Sequence, residues 1–134
     1  DGYAFGKLGV DLIQQRGQVR FSARVYQVFG GQIVPWSQPV SQARDLLQTA
    51  FELASLQGDW TYASFALNSL VTHMLATGGA LDTIRADASR GLAFARKAGL
   101  EVLDRYTSQL QLAKMLQGLT TQFGTLDDAG FTVE

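Results

Sequence analysis

Three times along the chain an apolar run ends in a glycine, and those glycines, Gly17, Gly58 and Gly99, stand 41 residues apart with no insertion between copies. The runs ahead of them correspond: Gly9-Val10-Asp11-Leu12-Ile13, Ala50-Phe51-Glu52-Leu53-Ala54 and Gly91-Leu92-Ala93-Phe94-Ala95. A fixed period of a few tens of residues marks a stacked repeat, in which each unit buries its apolar face only against its neighbours. Alignment of 18–58 on 59–99 sets Phe21 on Tyr62, Val25 on Ala66, Phe29 on Leu70, Val40 on Leu81 and Ala43 on Ile84, apolar on apolar throughout. The small residues at 9, 50 and 91 suit close helix crossings, each followed by a bulkier side chain such as Phe51 or Leu92.

The periodicity inside each copy is helical. Tyr3, Leu8, Leu12 and Ile13 share a face over 3–15, which Gly17 can close in a left-handed conformation. Phe21, Val25, Val28, Phe29 and Ile33 mark a second helix over 19–34, until Pro35 and Pro39 remove the main-chain donors that continuation needs. Gly30-Gly31 lie inside that stripe, as a kink or a close helix contact rather than a phosphate loop. Val40, Ala43, Leu47, Ala50, Phe51 and Ala54 give a third helix, entered through Pro39 and running to Gly58. Asp59 is placed to cap a fourth, whose broad apolar face of Ala63, Ala66, Leu67, Leu70, Val71 and Met74 calls for cover on two sides. After Gly78-Gly79, Leu81, Ile84, Ala88, Leu92 and Ala95 mark a fifth; Leu103, Tyr106, Leu110 and Ala113 open a sixth that runs to about 119.

The expected fold is therefore all-α: about six helices in antiparallel hairpins, stacked as a short α-solenoid with the sixth helix opening a third unit. Residues 1–123 form the repeat domain. Residues 124–134, rich in turn formers, form a connecting or frayed segment. A start at Asp1-Gly2-Tyr3-Ala4, without methionine or a signal peptide's basic and apolar stretches, is expected of a piece cut from a longer protein.

Composition narrows the function classes. With 134 residues and 46% hydrophobic content, the chain can bury a core, and 2 prolines against 14 glycines leave no proline-rich linker. Lys+Arg at 11 against Asp+Glu at 12 gives no net field to gather nucleic acid or anionic lipid. The absence of cysteine removes disulfides, thiolate catalysis and cysteine-based zinc sites, and agrees with a cytoplasmic location. No run reaches the roughly 18 apolar residues of a membrane span.

Catalytic constellations are missing from the sequence. There is no Gly-x-Ser-x-Gly elbow, no phosphate-binding loop and no Gly-x-Gly-x-x-Gly. His73 is the only histidine, and one imidazole builds a metal site only with carboxylate help; a helix-surface or half-buried histidine is the plainer reading. Asp11 and Glu52 occupy matching repeat positions and read as a solvated helix face. No catalytic, cofactor-binding or metal-binding residue is assigned, and no cofactor is expected.

A surface for partners is the remaining candidate. Arg20 and Arg24, with Arg16 just before Gly17, form a small basic stripe suited to an acidic segment, which Asp11 or Asp59 can neutralise. Trp36 lies between Pro35 and Pro39, and Trp60 opens the fourth helix; tryptophans in turns either fold back over the core or anchor a partner. With Tyr26, Tyr62 and His73 these complete the candidate surface.

Gly58-Asp59-Trp60-x-x-Ala63, following Ala50-Phe51-Glu52-Leu53-Ala54, resembles the hairpin joint of tetratricopeptide-like repeats. The spacing exceeds the usual period of about 34 and is nearer the helical-hairpin repeats of about 40–47. Tyr3-x-Phe5-Gly6-x-Leu8, Arg24-Val25-x-x-Val28-Phe29, Trp36-x-x-Pro39, Gly58-Asp59-x-x-x-Ala63 and His73 with Gly78 together resemble a helical region of large bacterial signalling proteins. Those proteins combine a serine/threonine-kinase-like domain, a predicted ATPase, a GAF sensor and a histidine kinase, and the likeness is to the region after the ATPase. The resemblance implies a non-catalytic scaffold that relays or receives a signal between ATPase and sensor modules, its partners being proteins or neighbouring domains. Self-association as a homodimer through uncovered terminal helices fits the same reading. The alternative is an effector-binding domain, holding a small molecule or peptide among Tyr26, Trp36, Trp60, Tyr62 and His73.

Overall fold

The computed structural model describes residues 1–17 and 19–132. Gln18, inside the expected repeat, and Val133 and Glu134, at the end of the expected tail, lie outside the described residues. The class is the expected one. The α-helices are α1 (Gly2–Arg16), α2 (Val19–Val28), α3 (Ala43–Leu56), α4 (Trp60–Ala76), α5 (Leu81–Lys97) and α6 (Leu103–Leu116). Among the described residues the only β pairing is a single bridge between Asp128 and Phe131. No helix among them is long and apolar enough to cross a membrane.

The glycine period is a period of helix ends. Gly17, Gly58 and Gly99 all adopt left-handed backbone, with φ of 61°, 70° and 65°, a conformation that glycine reaches without a Cβ penalty. At the end of α3 the Gly58 amide donates to the Ser55 carbonyl and the Asp59 amide to the Ala54 carbonyl. The same pair of bonds closes α4 at Gly78, α5 at Gly99 and α6 at Gly118, satisfying carbonyls that a helix end leaves without partners. At the opposite ends, Asp1 and Asp59 cap α1 and α4: Oδ1 of Asp1 accepts from the Ala4 amide at 3.4 Å and Oδ1 of Asp59 from the Tyr62 amide at 3.3 Å.

The chain divides into two compact units, Asp1–His73 and Met74–Glu134, with the boundary in the last turn of α4. In the first unit α2 packs on both α1 and α3. The second expected helix changes geometry before it stops: α2 gives way at Phe29 to a π-helical turn (Phe29–Ile33), then to a 3₁₀ turn (Val34–Trp36). Gly30-Gly31 lie within the π turn, and the close helix contact expected of them is present. A Cβ on Gly30 would lie 3.0 Å from Cβ of Leu46 and 3.3 Å from the Ala43 carbonyl oxygen, and one on Gly31 3.0 Å from Oγ of Ser69. The missing side chains let the wide π turn press against α3 on one side and α4 on the other. Leu47, Ala43, Ala50, Ala54 and Val71 are fully buried in this unit, and burial of a side chain such as Leu47 contributes about 1.5–3 kcal/mol.

In the second unit α5 packs on α6, with Gly91 at the crossing and Tyr106, fully buried, facing it. Burial repeats with the sequence: Ala43, Leu47 and Ala54 in α3 are matched in α5 by the buried Ile84, Ala88 and Ala95. Among its described residues the segment after α6 carries no helix but is held to it. Lys114 forms an ion pair with Asp128, and the Thr121 amide donates to the Asp127 carbonyl at 2.9 Å.

Candidate functional site

Apolar residues of α1 occupy two faces. With about 100° between successive residues, Tyr3, Val10 and Ile13 fall together, as do Phe5, Leu8 and Leu12 on the other side. Val10 is buried at 6% exposure, whereas Phe5, Leu8 and Leu12 are 76%, 52% and 40% exposed. The single stripe expected over 3–15 is thus split: Leu8 and Leu12 belong to the outer face and Phe5 joins them. On α2, Phe21 and Val28 are likewise exposed, while Phe29 is buried and its ring lies 5.4 Å from that of Tyr3. Positional spacing identifies an apolar residue on a helix but does not say which of two apolar faces the fold covers.

Between α1 and α2 lies a groove of about 310 Å³, lined by Phe5, Gly6, Gly9, Arg24, Val25, Val28, Phe29 and Ile33; of the exposed apolar residues above, Phe5 and Val28 border it. Apart from Arg24, the lining is apolar or glycine. Gly6 and Gly9 present no side chain, so beside Phe5 the α1 wall is backbone, and the row Val25, Phe29, Ile33 forms the floor. At Gly6 the tips of Phe29 and Ile33 already take the room, since a Cβ there would stand 2.6 Å from Phe29 Cδ2 and 2.8 Å from Ile33 Cδ1. At Gly9 the nearest atom to such a Cβ is Val25 Cγ1 at 3.6 Å, leaving ordinary van der Waals space.

Arg24 also lines a second, polar hollow of about 550 Å³ together with Arg20, Gln57, Gly58 and Asp59. Its Nε donates to Oδ2 of Asp59 at 3.0 Å, and its guanidinium carbon lies 4.9 Å from the centre of the Tyr62 ring. Asp59 therefore caps α4 through one carboxylate oxygen and holds Arg24 through the other. Arg20 rests over the Phe21 ring at 5.3 Å; among the described residues no carboxylate lies within ion-pair distance of it. Asp11, the other acid expected to neutralise the stripe, is taken by Lys7 at 2.7 Å. That bond stabilises the Lys7 ammonium and raises its pKa. Glu52 accepts from Gln48 at 2.8 Å, also within one helix turn, so neither acid joins the other. The two guanidiniums of the hollow face one carboxylate, which leaves a positive surplus beside the apolar groove.

The remaining sequence candidates scatter within the first unit. Arg20, Arg24 and Tyr62 come together, and Trp60, 47% exposed, begins the helix that Asp59 caps. Tyr26 lies on the α1 side, its hydroxyl accepting from Gln14 Nε2 at 3.3 Å. Trp36 is 89% exposed and does not fold back over the core. Val34, 2% exposed, fills that place, and its carbonyl takes the Ser37 and Gln38 amides at 3.1 and 2.8 Å, closing the turn with Trp36 outside. His73 is half-buried with the Gly31 main chain as a hydrogen-bond partner. Burial lowers its pKa and that bond opposes the shift. Neither hollow is lined by Trp36, Trp60 or His73. Among the described residues no group of three histidine, aspartate or glutamate side chains is placed to hold a metal ion.

The residues that frame the groove, Phe5, Gly6, Gly9 and Val28, were not singled out as site residues from the sequence. For the three on α1 a signal was present in the separation of Phe5-Leu8-Leu12 from Tyr3-Val10-Ile13; for Val28 there was none. No protein family, curated protein or solved structure matches this chain.

Proposed function

We propose that the chain is a non-catalytic interaction scaffold of the tetratricopeptide-like kind, working in the cytoplasm within a bacterial signal-transduction protein, where it receives or relays a signal between an ATPase module and sensor or kinase modules. The observation that carries the interaction reading is one apolar groove bordered by the exposed Phe5 and Val28, on a helix whose Leu8 and Leu12 are exposed as well. Scattered surface apolar residues need no explanation, but a contiguous set beside a concavity marks a binding surface. The effector-binding alternative would place a ligand among the aromatic candidates, and since neither hollow is lined by Trp36, Trp60 or His73, the groove is favoured instead. The signalling context rests on the sequence resemblance.

Selection of displayed peptides on the chain tests this reading, with Phe5→Asp and Leu8→Asp as counter-screens. Both side chains are exposed, so the variants should keep the helical circular dichroism of the parent. Selected peptides that lose binding to both variants support a scaffold surface on α1. Peptides indifferent to both, or saturable thermal stabilisation by a small metabolite with no peptide selected, would overturn it.

A further inference from the structure

We propose that the groove between α1 and α2 receives an amphipathic helix of a protein partner, with large aliphatic or aromatic anchors over Val25, Phe29 and Ile33 and an acidic side chain at the Arg24 end that pairs with Arg20. The inference rests on the interaction reading above and adds to it the chemistry of the occupant.

Shape selects a helix. The floor residues recur every fourth position, about one per turn, and the two walls are themselves helical, with α1 contributing backbone at Gly6 and Gly9. A trough of this kind accepts the i, i+3, i+4, i+7 anchors of an amphipathic helix. Its floor, from residue 25 to 33, corresponds to about two turns of such a helix. An added β-strand would need an open sheet edge, and the first unit contains no strand among its described residues.

Charge selects the end group. Arg24 is shared by the groove and the polar hollow, so the apolar trough opens at that point onto a basic surface. Asp59 is already engaged by Arg24 and by the Tyr62 amide. Arg20, one turn before Arg24, rests over the Phe21 ring and has no carboxylate within ion-pair distance among the described residues. A carboxylate at the end of an apolar stripe complements that arrangement. A polyphosphate chain does not, because two guanidiniums against one carboxylate, on a chain of net charge −1, offer little counterion release.

The test uses three fluorescently labelled helical peptides that share one leucine and phenylalanine stripe and differ only in the flanking residue at both ends: Glu, Gln or Lys. Anisotropy titrations against the chain should rank Glu over Gln over Lys. The step from Gln to Glu should be about two- to fivefold, the range of an exposed ion pair, and should shrink as salt rises from roughly 0.05 to 0.5 M. Arg20→Glu should invert the ranking while leaving the Gln peptide unchanged, and Phe5→Asp or Val28→Asp should abolish binding of all three. Equal binding of the three peptides, still lost on Phe5→Asp, would overturn the acidic occupant and leave the scaffold reading standing. Failure of all three to bind, or a homodimer in light scattering that Phe5→Asp dissolves, would overturn the helix-in-groove proposal itself, the latter by making a second copy the occupant.

Discussion

Gly9 and Gly91 hold the same position in the repeat, two periods apart, and replacement by alanine should have opposite effects at the two. At Gly91 an added Cβ would lie 2.1 Å from Tyr106 Cε1, 2.5 Å from Cδ1 and 2.8 Å from Cζ. Carbon atoms in contact stand about 3.5–4.0 Å apart, so the ring would have to retreat by about 1.5 Å. Tyr106 is fully buried, so its ring can retreat only into the packed interior. Overpacking of this kind costs about 1–3 kcal/mol, and exchanging a mid-helix glycine for alanine returns about 0.5–1 kcal/mol. Gly91→Ala should therefore destabilise by about 1–2 kcal/mol. At Gly9 the new methyl group would meet only Val25 Cγ1 at 3.6 Å, so the helix gain of about 0.5–1 kcal/mol should appear as stabilisation. Urea unfolding followed by circular dichroism measures both, and suits the second unit because both tryptophans, Trp36 and Trp60, lie in the first. In a Tyr106→Leu background the penalty of Gly91→Ala should vanish. Stabilisation by Gly91→Ala in the parent chain, or a penalty that persists without the tyrosine, would refute the reasoning.

Asp59→Ala removes the α4 cap and the partner of Arg24, and should lower stability by about 1–2 kcal/mol, most of it from the cap, because Arg24 is half exposed and its ion pair contributes at most about 1 kcal/mol. Asp59→Asn, which can still cap, should recover the larger part in the same urea titration. Asp128 is hydrogen-bonded by Lys114 and by the Gly130 amide, which lower its pKa from 3.8 to about 2. A depressed folded-state pKa means that the carboxylate favours the folded tail above pH 3.8 and that this contribution is lost as pH falls toward about 2. Amide hydrogen exchange at Thr121 and Phe131 should accelerate across that window in the parent chain and show no such dependence in Asp128→Asn.

The helix ends were legible because their cause is local. A left-handed residue is needed where the chain leaves a helix, glycine supplies it most easily, and Gly17, Gly58, Gly78, Gly99 and Gly118 all do so. The sixth helix was expected to reach about residue 119 and ends at Leu116, with Gly118 closing it. The second helix was drawn to residue 34 because its apolar spacing continues, yet its last turns are π and 3₁₀. Spacing registers apolar positions, not the number of residues per hydrogen-bonded ring. Gly30-Gly31 marked the place, but the atoms they approach belong to Leu46 and Ser69, neither of which is near in sequence.

The groove was less legible for a reason that the glycines also make plain. Two glycines three residues apart on α1 have different surroundings: the room beside Gly6 is filled by Phe29 and Ile33, while the room beside Gly9 stays open above Val25. The first allows α1 to approach the π turn; the second leaves part of the wall without a side chain, so that approach and opening occur on one helix within a single turn. From the sequence Gly9 reads as a small residue at a close crossing, and Gly6 has no such reading. Telling them apart requires knowing where Phe29 points, and Phe29 opens the π turn whose Gly30 packs on α3. The concavity is therefore a tertiary consequence of three glycine sites acting together, whereas the charge at its end, Arg20 and Arg24 one turn apart on α2, is a local pattern that the sequence carries openly.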